Sequence, residues 1–389
     1  MATKTKSTIS FSEEQKKLLK EALKKQKPTE YIETGNVGFD LALSDGKGLP
    51  LGSSTLLWAK PACGKTTVLA DVSKRLIKKF KNSKTPFKVL YLAVEDSMGL
   101  MEALGMKEYM DSGDFIYVGK QFCWRHIETF YEAVLNGVEG FENVKLIIID
   151  SVNNVLSDQN MKNSIADGDF GTKARERSSF YSKYLPVCKE KGISSFFISQ
   201  VRKKQQALMY EDPNRVAVTD VDLHNVDIII KCSALTSSSG SSKVEEETAF
   251  GKDKIVSKYV FKMDSKATDC KNRYIRGNSV ELLIEKGKRI CNYYAVGKLL
   301  KANKLIKTPS AGWHEFNSDI CAQLGVPSGK MRQEEVDKIV EDHIGDFITI
   351  LKKMGKYKVV VRETEVAVTE EEVKTMAEAN NNEADEEEE

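Results

Sequence analysis

Ala59-Lys60-Pro61-Ala62-Cys63-Gly64-Lys65-Thr66-Thr67 is the stretch on which the fold of this chain turns. It follows an apolar run, Leu56, Leu57 and Trp58, and precedes residues with helical spacing, so the segment reads as strand, phosphate loop, helix. A triphosphate needs backbone N–H groups turned inward around it, a lysine reaching its outer phosphates, and a hydroxyl on the metal ion. Gly64, Lys65 and Thr66 are of the right type and spacing, with Lys60, Pro61, Ala62, Cys63 and Thr67 forming the rest of the cradle. The expected ligand is ATP with Mg2+. The usual first glycine of such a loop is Ala59 here, a residue still small enough for the turn.

Outward from the loop, apolar runs end repeatedly in polar residues. Residues 86–94 give a second strand ending at Glu95, residues 144–149 a third ending at Asp150 and Ser151, residues 194–199 a fourth ending at Gln200, and residues 226–231 a fifth. This is the pattern of a buried parallel sheet whose carboxyl ends line a ligand crevice, so Lys65, Glu95, Asp150 and Gln200 are expected near one another. Residues 236–254, rich in serine, glycine and charge, read as a flexible connection, and 259–263 with 279–284 as a closing antiparallel pair. Residues 10–26 predict a capped helix with a narrow apolar stripe suited to docking elsewhere. After residue 295 the pattern turns helical and lysine-rich. The class is α/β with a mainly parallel twisted sheet. The expected units are an N-terminal helix (1–30), a nucleotide-binding core (31–295), a small C-terminal domain (296–362) and an acidic disordered tail (363–389).

Asp150 stands where a carboxylate supporting magnesium belongs, alongside the Thr66 hydroxyl. Glu95, with Asp96 as its neighbour and runner-up, is placed to orient or deprotonate an attacking water. The Gln200 amide could touch a γ-phosphate and report it to the long segment that follows, which begins with Arg202, Lys203 and Lys204. A second polar stretch, 157–170, leads into a basic cluster at 173–179. Two basic segments on one sheet edge beside a nucleotide sensor point to phosphate-backbone contacts with nucleic acid.

Composition bounds these readings. No run of about 18 apolar residues occurs and the first 30 residues are polar and lysine-rich, so the expectation is a soluble intracellular protein with neither membrane span nor leader. The seven cysteines are scattered without a CxxC pair, which suggests reduced structural thiols and no zinc site. The formal net charge of +2 hides an asymmetry: from Glu363 onward twelve acidic residues and one lysine give −11, leaving +13 on the remainder. A basic body with an acidic tail suits a polyanion binder that restrains itself.

Several motifs occur together and in order: GlyLeuProLeuGly at 48–52, GlyLysThrThr at 64–67, the strand-end Glu95, LeuIleIleIleAspSer at 146–151, GlyAspPheGlyThrLysAlaArg at 168–175 and PheIleSerGlnValArg at 197–202. With these the chain resembles the RecA-type recombinases, most closely the phage UvsX-like branch, over roughly residues 30–320. LeuIleLysThrProSerAlaGlyTrpHis at 305–314 resembles the C-terminal segment of that branch. The resemblance implies a RecA-like core that forms helical filaments on single-stranded DNA and exchanges it with a homologous duplex, hydrolysing ATP in a DNA-dependent way. It implies Lys65 and Thr66 on phosphates and magnesium, Glu95 activating water, Asp150 supporting the metal, Gln200 coupling ATP to the DNA loops, and Arg175, Ser178, Arg202, Lys203 and Lys204 near DNA. It further implies single-strand-binding and loader partners and the cytoplasm of a bacterial cell, a phage-infected one in the case of the UvsX-like branch.

ATP in this family sits between subunits, so cations from a neighbour complete the site. Lys266, with Lys262 beside it, fits the UvsX-like arrangement. LysAsnArg at 271–273 and LeuHisAsnValAsp at 223–227 instead resemble RadA-type and replicative-helicase relatives. A ring-forming motor of that kind, or a regulatory ATP-binding filament without strand exchange, is therefore the alternative. The tyrosine that the family stacks on adenine is replaced near Leu100, and the second basic segment lacks paired glycines.

Overall fold

A computed structural model describes residues 12–14, 29–162, 171–203, 214–216, 220–236, 241–248 and 251–358. Most of the helix expected over 10–26, residues 163–170 of the polar stretch, Lys204 and most of the basic segment it belongs to, and the acidic tail lie outside the described residues.

The elements that position the site are β1 (Ser54–Ala59), β2 (Lys88–Ala93), β3 (Phe115–Gly119), β4 (Val144–Asp150), β5 (Ser194–Lys203), β6 (Ile228–Leu235), β7 (Gly251–Asp264), β8 (Ser279–Glu285) and β9 (Arg289–Cys291). They lie side by side in the order β9-β8-β7-β6-β1-β5-β4-β2-β3. The block from β6 to β3 is parallel, and β7, β8 and β9 extend it as an antiparallel wing. The parallel strands are covered on both faces, which is why they read as unbroken apolar runs. Successive residues still alternate between two cores: Leu57, Tyr91, Ile148 and Phe196 enter one, while Leu56, Trp58, Leu90, Ile149 and Phe197 enter the other.

Helix α1 (Val37–Ser44) and helix α2 (Lys65–Phe80), which leaves the phosphate loop, pack in the first core, with Val68, Leu69, Val72 and Leu76 of α2 fully buried. Helix α3 (Trp124–Asn136) and the long α4 (Thr172–Lys191) close the second, where Trp124 lies against Phe180 and Tyr181. Helix α4 stops at Gly192, whose φ of 65° permits the left-handed cap. The short α5 (Asp220–Asn225) leads into β6 and is tied to α4 by a buried ion pair, Arg177 Nη1 to Asp222 Oδ2 at 2.5 Å, with the Tyr181 hydroxyl donating to Asp222 Oδ1 at 2.5 Å.

Residues 236–254 depart from the expected flexible connection. Ser242–Thr248 forms a strand antiparallel to the first half of β7, with Lys243 opposite Val256 and Thr248 opposite Gly251. Backbone pairing with a strand already anchored in the sheet carries the serine- and glutamate-rich sequence into β structure. Strand β3 and helix α3 are likewise elements that the apolar runs did not single out.

Residues 292–358 combine helix α6 (Asn292–Ala302) with a small sheet of Ile306–Ser310, Trp313–Phe316 and Met331–Arg332 and three further helices. Val296, Leu300, Val340 and Phe347 belong to the same continuous core as α1 and β8. A cation sits over each tryptophan ring: Lys231 over Trp58 at 5.4 Å, Arg177 over Trp124 at 5.6 Å and Arg332 over Trp313 at 4.1 Å. No helix among the described residues is long and apolar enough to cross a membrane.

Candidate nucleotide site

Between β1 and α2 the loop turns through Ala62 at φ 56° and Gly64 at φ 108°. Gly64 is required twice over, because a Cβ there would also lie 2.4 Å from the Tyr259 hydroxyl of β7. Lys65 is buried and folds back over the loop, its Nζ donating to the carbonyls of Ala59 at 3.3 Å and Lys60 at 3.1 Å. The Lys65 amine thus ties the end of the loop back to its beginning.

Asp150 ends β4, 6% exposed. Its Oδ2 accepts from the Thr66 hydroxyl at 2.7 Å and from the Tyr91 hydroxyl at 2.5 Å. Burial pushes the Asp150 carboxyl up from its ordinary range, opposed by these two hydroxyls, and burial likewise pushes the Tyr91 phenol well up, so it stays a donor. The Asp150 carbonyl accepts from Val94 N at 2.7 Å and Glu95 N at 3.1 Å, which fixes where Glu95 leaves β2. Glu95 Oε1 receives the Ser151 hydroxyl at 2.6 Å, Asn154 Nδ2 at 2.7 Å and Gln200 Nε2 at 2.8 Å.

Lys65, Thr66, Glu95, Asp150 and Gln200 therefore come together as the strand ends predict, around a cavity of about 340 Å³. Its far wall is the antiparallel wing, through Tyr259, Lys286 and Gly287, and Leu100 lies on the near side. Sequence reasoning missed Tyr91, Asn154, Tyr259 and Lys286. Asn154 had a signal, the polar run directly after Asp150; a tyrosine inside an apolar strand had none. The donor set of one hydroxyl and one carboxylate, beside a loop whose residues 61–67 line the cavity, fits a nucleotide with Mg2+.

Lys266 does not line this cavity. It is exposed beyond the end of β7 and faces a separate opening with Lys271 and Arg276. Lys262 pairs with Asp264 at 3.1 Å. The LysAsnArg triplet is engaged within its own chain: Lys271 Nζ donates to the His224 carbonyl at 3.2 Å, Asn272 Nδ2 to the Leu43 carbonyl at 2.9 Å, and Arg273 Nη1 to Asp227 Oδ1 at 3.1 Å. Arg175 is exposed on the first turn of α4 and Ser178 is half-buried one turn on. Arg202 and Lys203 close β5.

A family model described as an AAA domain matches residues 45–206. Among curated proteins the chain is similar to Protein RecA of Mycoplasma genitalium, 26% identical over 181 residues covering 46% of this chain and 49% of that protein. It is similar to Protein RecA of a Nitratiruptor species, 27% over 196 residues with 50% and 53% covered, and to the DNA repair protein RadA of Aquifex aeolicus, 29% over 171 residues with 44% and 33% covered. The chain spans about half the length or less of these relatives. These likenesses support a RecA-type family, and the mixed sheet with its phosphate loop is consistent with a RecA-like nucleotidase core.

Proposed function

We propose that this chain is a DNA-dependent ATPase of the RecA type that acts in homologous recombination, assembling as a helical filament on single-stranded DNA and pairing it with a homologous duplex. The observation that carries this reading is the hydrogen bond from Gln200 Nε2 to Glu95: the side chain placed to handle water sits directly on the strand that runs into Arg202–Lys204. Lys65 and the loop N–H groups would hold the phosphates, and Thr66 with Asp150 would hold Mg2+. The bound metal nucleotide supplies the phosphoanhydride and neutralises charge developing on it. Glu95 orients the attacking water and takes its proton, while Gln200 is released from Glu95 or held to it according to what occupies the cavity. Arg175, Ser178, Arg202, Lys203 and Lys204 would contact DNA, and the acidic tail would compete with DNA for them.

Lys266 is the proposed cation for a neighbour's nucleotide. Its exposure supports that role, whereas Lys271 and Arg273 already serve the chain that carries them. We place the chain nearest the phage UvsX-like branch on its motifs, with residues 1–30 for assembly and 296–362 as the small C-terminal domain. The likeness to RadA and the LysAsnArg triplet favour a second reading, a ring-forming motor. ATP turnover with and without single-stranded DNA, on samples imaged with a slowly hydrolysed ATP analogue, separates the two. DNA-stimulated turnover with helical filaments is expected; closed rings, or turnover indifferent to DNA, would overturn the recombinase reading.

A further inference from the structure

The turn Val152–Asn154 touches three parts of the molecule at once. Asn154 Nδ2 donates to Glu95 Oε1 at 2.7 Å. Asn153 Oδ1 accepts from the backbone N–H of Gln200 at 2.9 Å, and the Asn153 carbonyl accepts from Lys173 Nζ at 2.5 Å. Gln121 Nε2 braces the turn from outside through the Asn154 carbonyl at 2.9 Å. Lys173 stands in the first turn of α4, the helix that follows the polar stretch 157–170 and carries Arg175. The Gln200 amide, by contrast, opens the path to the second segment.

Three donors converge on the single oxygen Glu95 Oε1. Whatever enters the cavity and engages Glu95 or Gln200 competes for them, and a shift of Asn154 moves the adjoining Asn153 with both of its contacts. We propose that Asn153 and Lys173 are positioning residues that couple the nucleotide site to the basic cluster at 173–179 on α4, which carries Arg175, a second arm beside the one through Gln200. This rests on the DNA-dependent ATPase reading above. Coupling is a difference in affinity between states and is reciprocal, so it is measured as a ratio.

The test is fluorescence anisotropy of a labelled oligothymidylate bound by the full chain, with a slowly hydrolysed ATP analogue and, separately, with ADP. The ratio of the two dissociation constants is the coupling. Lys173→Met is expected to pull that ratio toward one by about fivefold or more, with nucleotide affinity in the absence of DNA unchanged. Asn153→Ala is expected to do the same, and Lys173→Arg, which keeps a donor, to restore the ratio to within about twofold. If Lys173→Met weakens DNA binding equally with both nucleotides, Lys173 is a plain phosphate contact and the proposal is wrong; an unchanged ratio also overturns it. If the unaltered chain shows no nucleotide-dependent DNA binding at all, the functional reading itself fails and takes this inference with it.

Discussion

At the carboxyl edge of the parallel strands, Asp150 and Glu95 accept hydrogen bonds from hydroxyls and amides, and among the described residues no lysine or arginine pairs with either. At the amino edge, Asp227 is held by Arg273 at 3.1 Å and by the Ser54 N–H and hydroxyl at 3.1 Å each, and nearby Asp222 is buried against Arg177. The second arrangement cancels a charge and fixes two elements. The first holds the carboxylates through neutral donors instead, and burial raises the Asp150 carboxyl against its two hydroxyl partners. Asp40, which does not line the nucleotide cavity, shows the same neutral holding: it accepts from Thr34 N at 3.1 Å and the Thr34 hydroxyl at 2.6 Å, and burial pushes its carboxyl up to about 7.

The contrast can be broken most sharply at Glu95. Glu95→Gln preserves the size of the side chain and its neutral partners, and should leave nucleotide binding intact while slowing hydrolysis by about 10²–10⁴, read in single-turnover ATPase assays. Normal turnover would remove Glu95 from the chemistry. The cation-paired region predicts a loss of stability instead. Arg177→Met strands a buried carboxylate and should cost about 3–5 kcal/mol in urea unfolding, whereas replacing Asp222 by leucine as well should recover much of it.

A pH effect comes next. Asp40 has a folded pKa near 7 against an ordinary value of 3.8, so the folded chain holds a proton that the unfolded chain releases between those values. Its contribution is full below about pH 4 and is lost as the pH rises toward 7, by up to about 1.4 kcal/mol per pH unit. Asp40→Asn should flatten that fall in a pH series of melting curves; an unchanged slope would show that Asp40 is ionised throughout. The smallest expected change in stability comes from comparing the two edges directly. Asp227→Asn should lower stability by about 1 kcal/mol and spare ATPase activity, while Asp150→Asn should abolish activity with stability held or raised. Equal loss of stability in both would erase the distinction between the edges.

The parallel block and the convergence of Lys65, Glu95, Asp150 and Gln200 were legible because each depends on a local pattern, an apolar run closed by one polar residue. What could not be read depends on pairing across distance. Tyr91 looks like core until β4 delivers Asp150 to its hydroxyl, and Tyr259 looks like an ordinary strand residue until the antiparallel wing folds over Gly64. Residues 242–248 carry little intrinsic strand signal and are recruited by β7. Resemblance alone favours Lys266 over Lys271 as the neighbour's cation; the fold adds that Lys271 has its amine committed to the chain's own backbone at His224.

The cations over the tryptophans make the chain its own spectrometer. Its three indoles report from separate places: Trp58 one residue before the phosphate loop begins, Trp124 on the ion pair between α4 and α5, and Trp313 in the C-terminal sheet. A positive charge above an indole shifts and dims its emission according to their separation. Nucleotide arrival, disturbance of the segment stems and movement of the C-terminal region would thus each tint a different component of the intrinsic fluorescence, and chains keeping one tryptophan apiece would resolve them in time without any added dye.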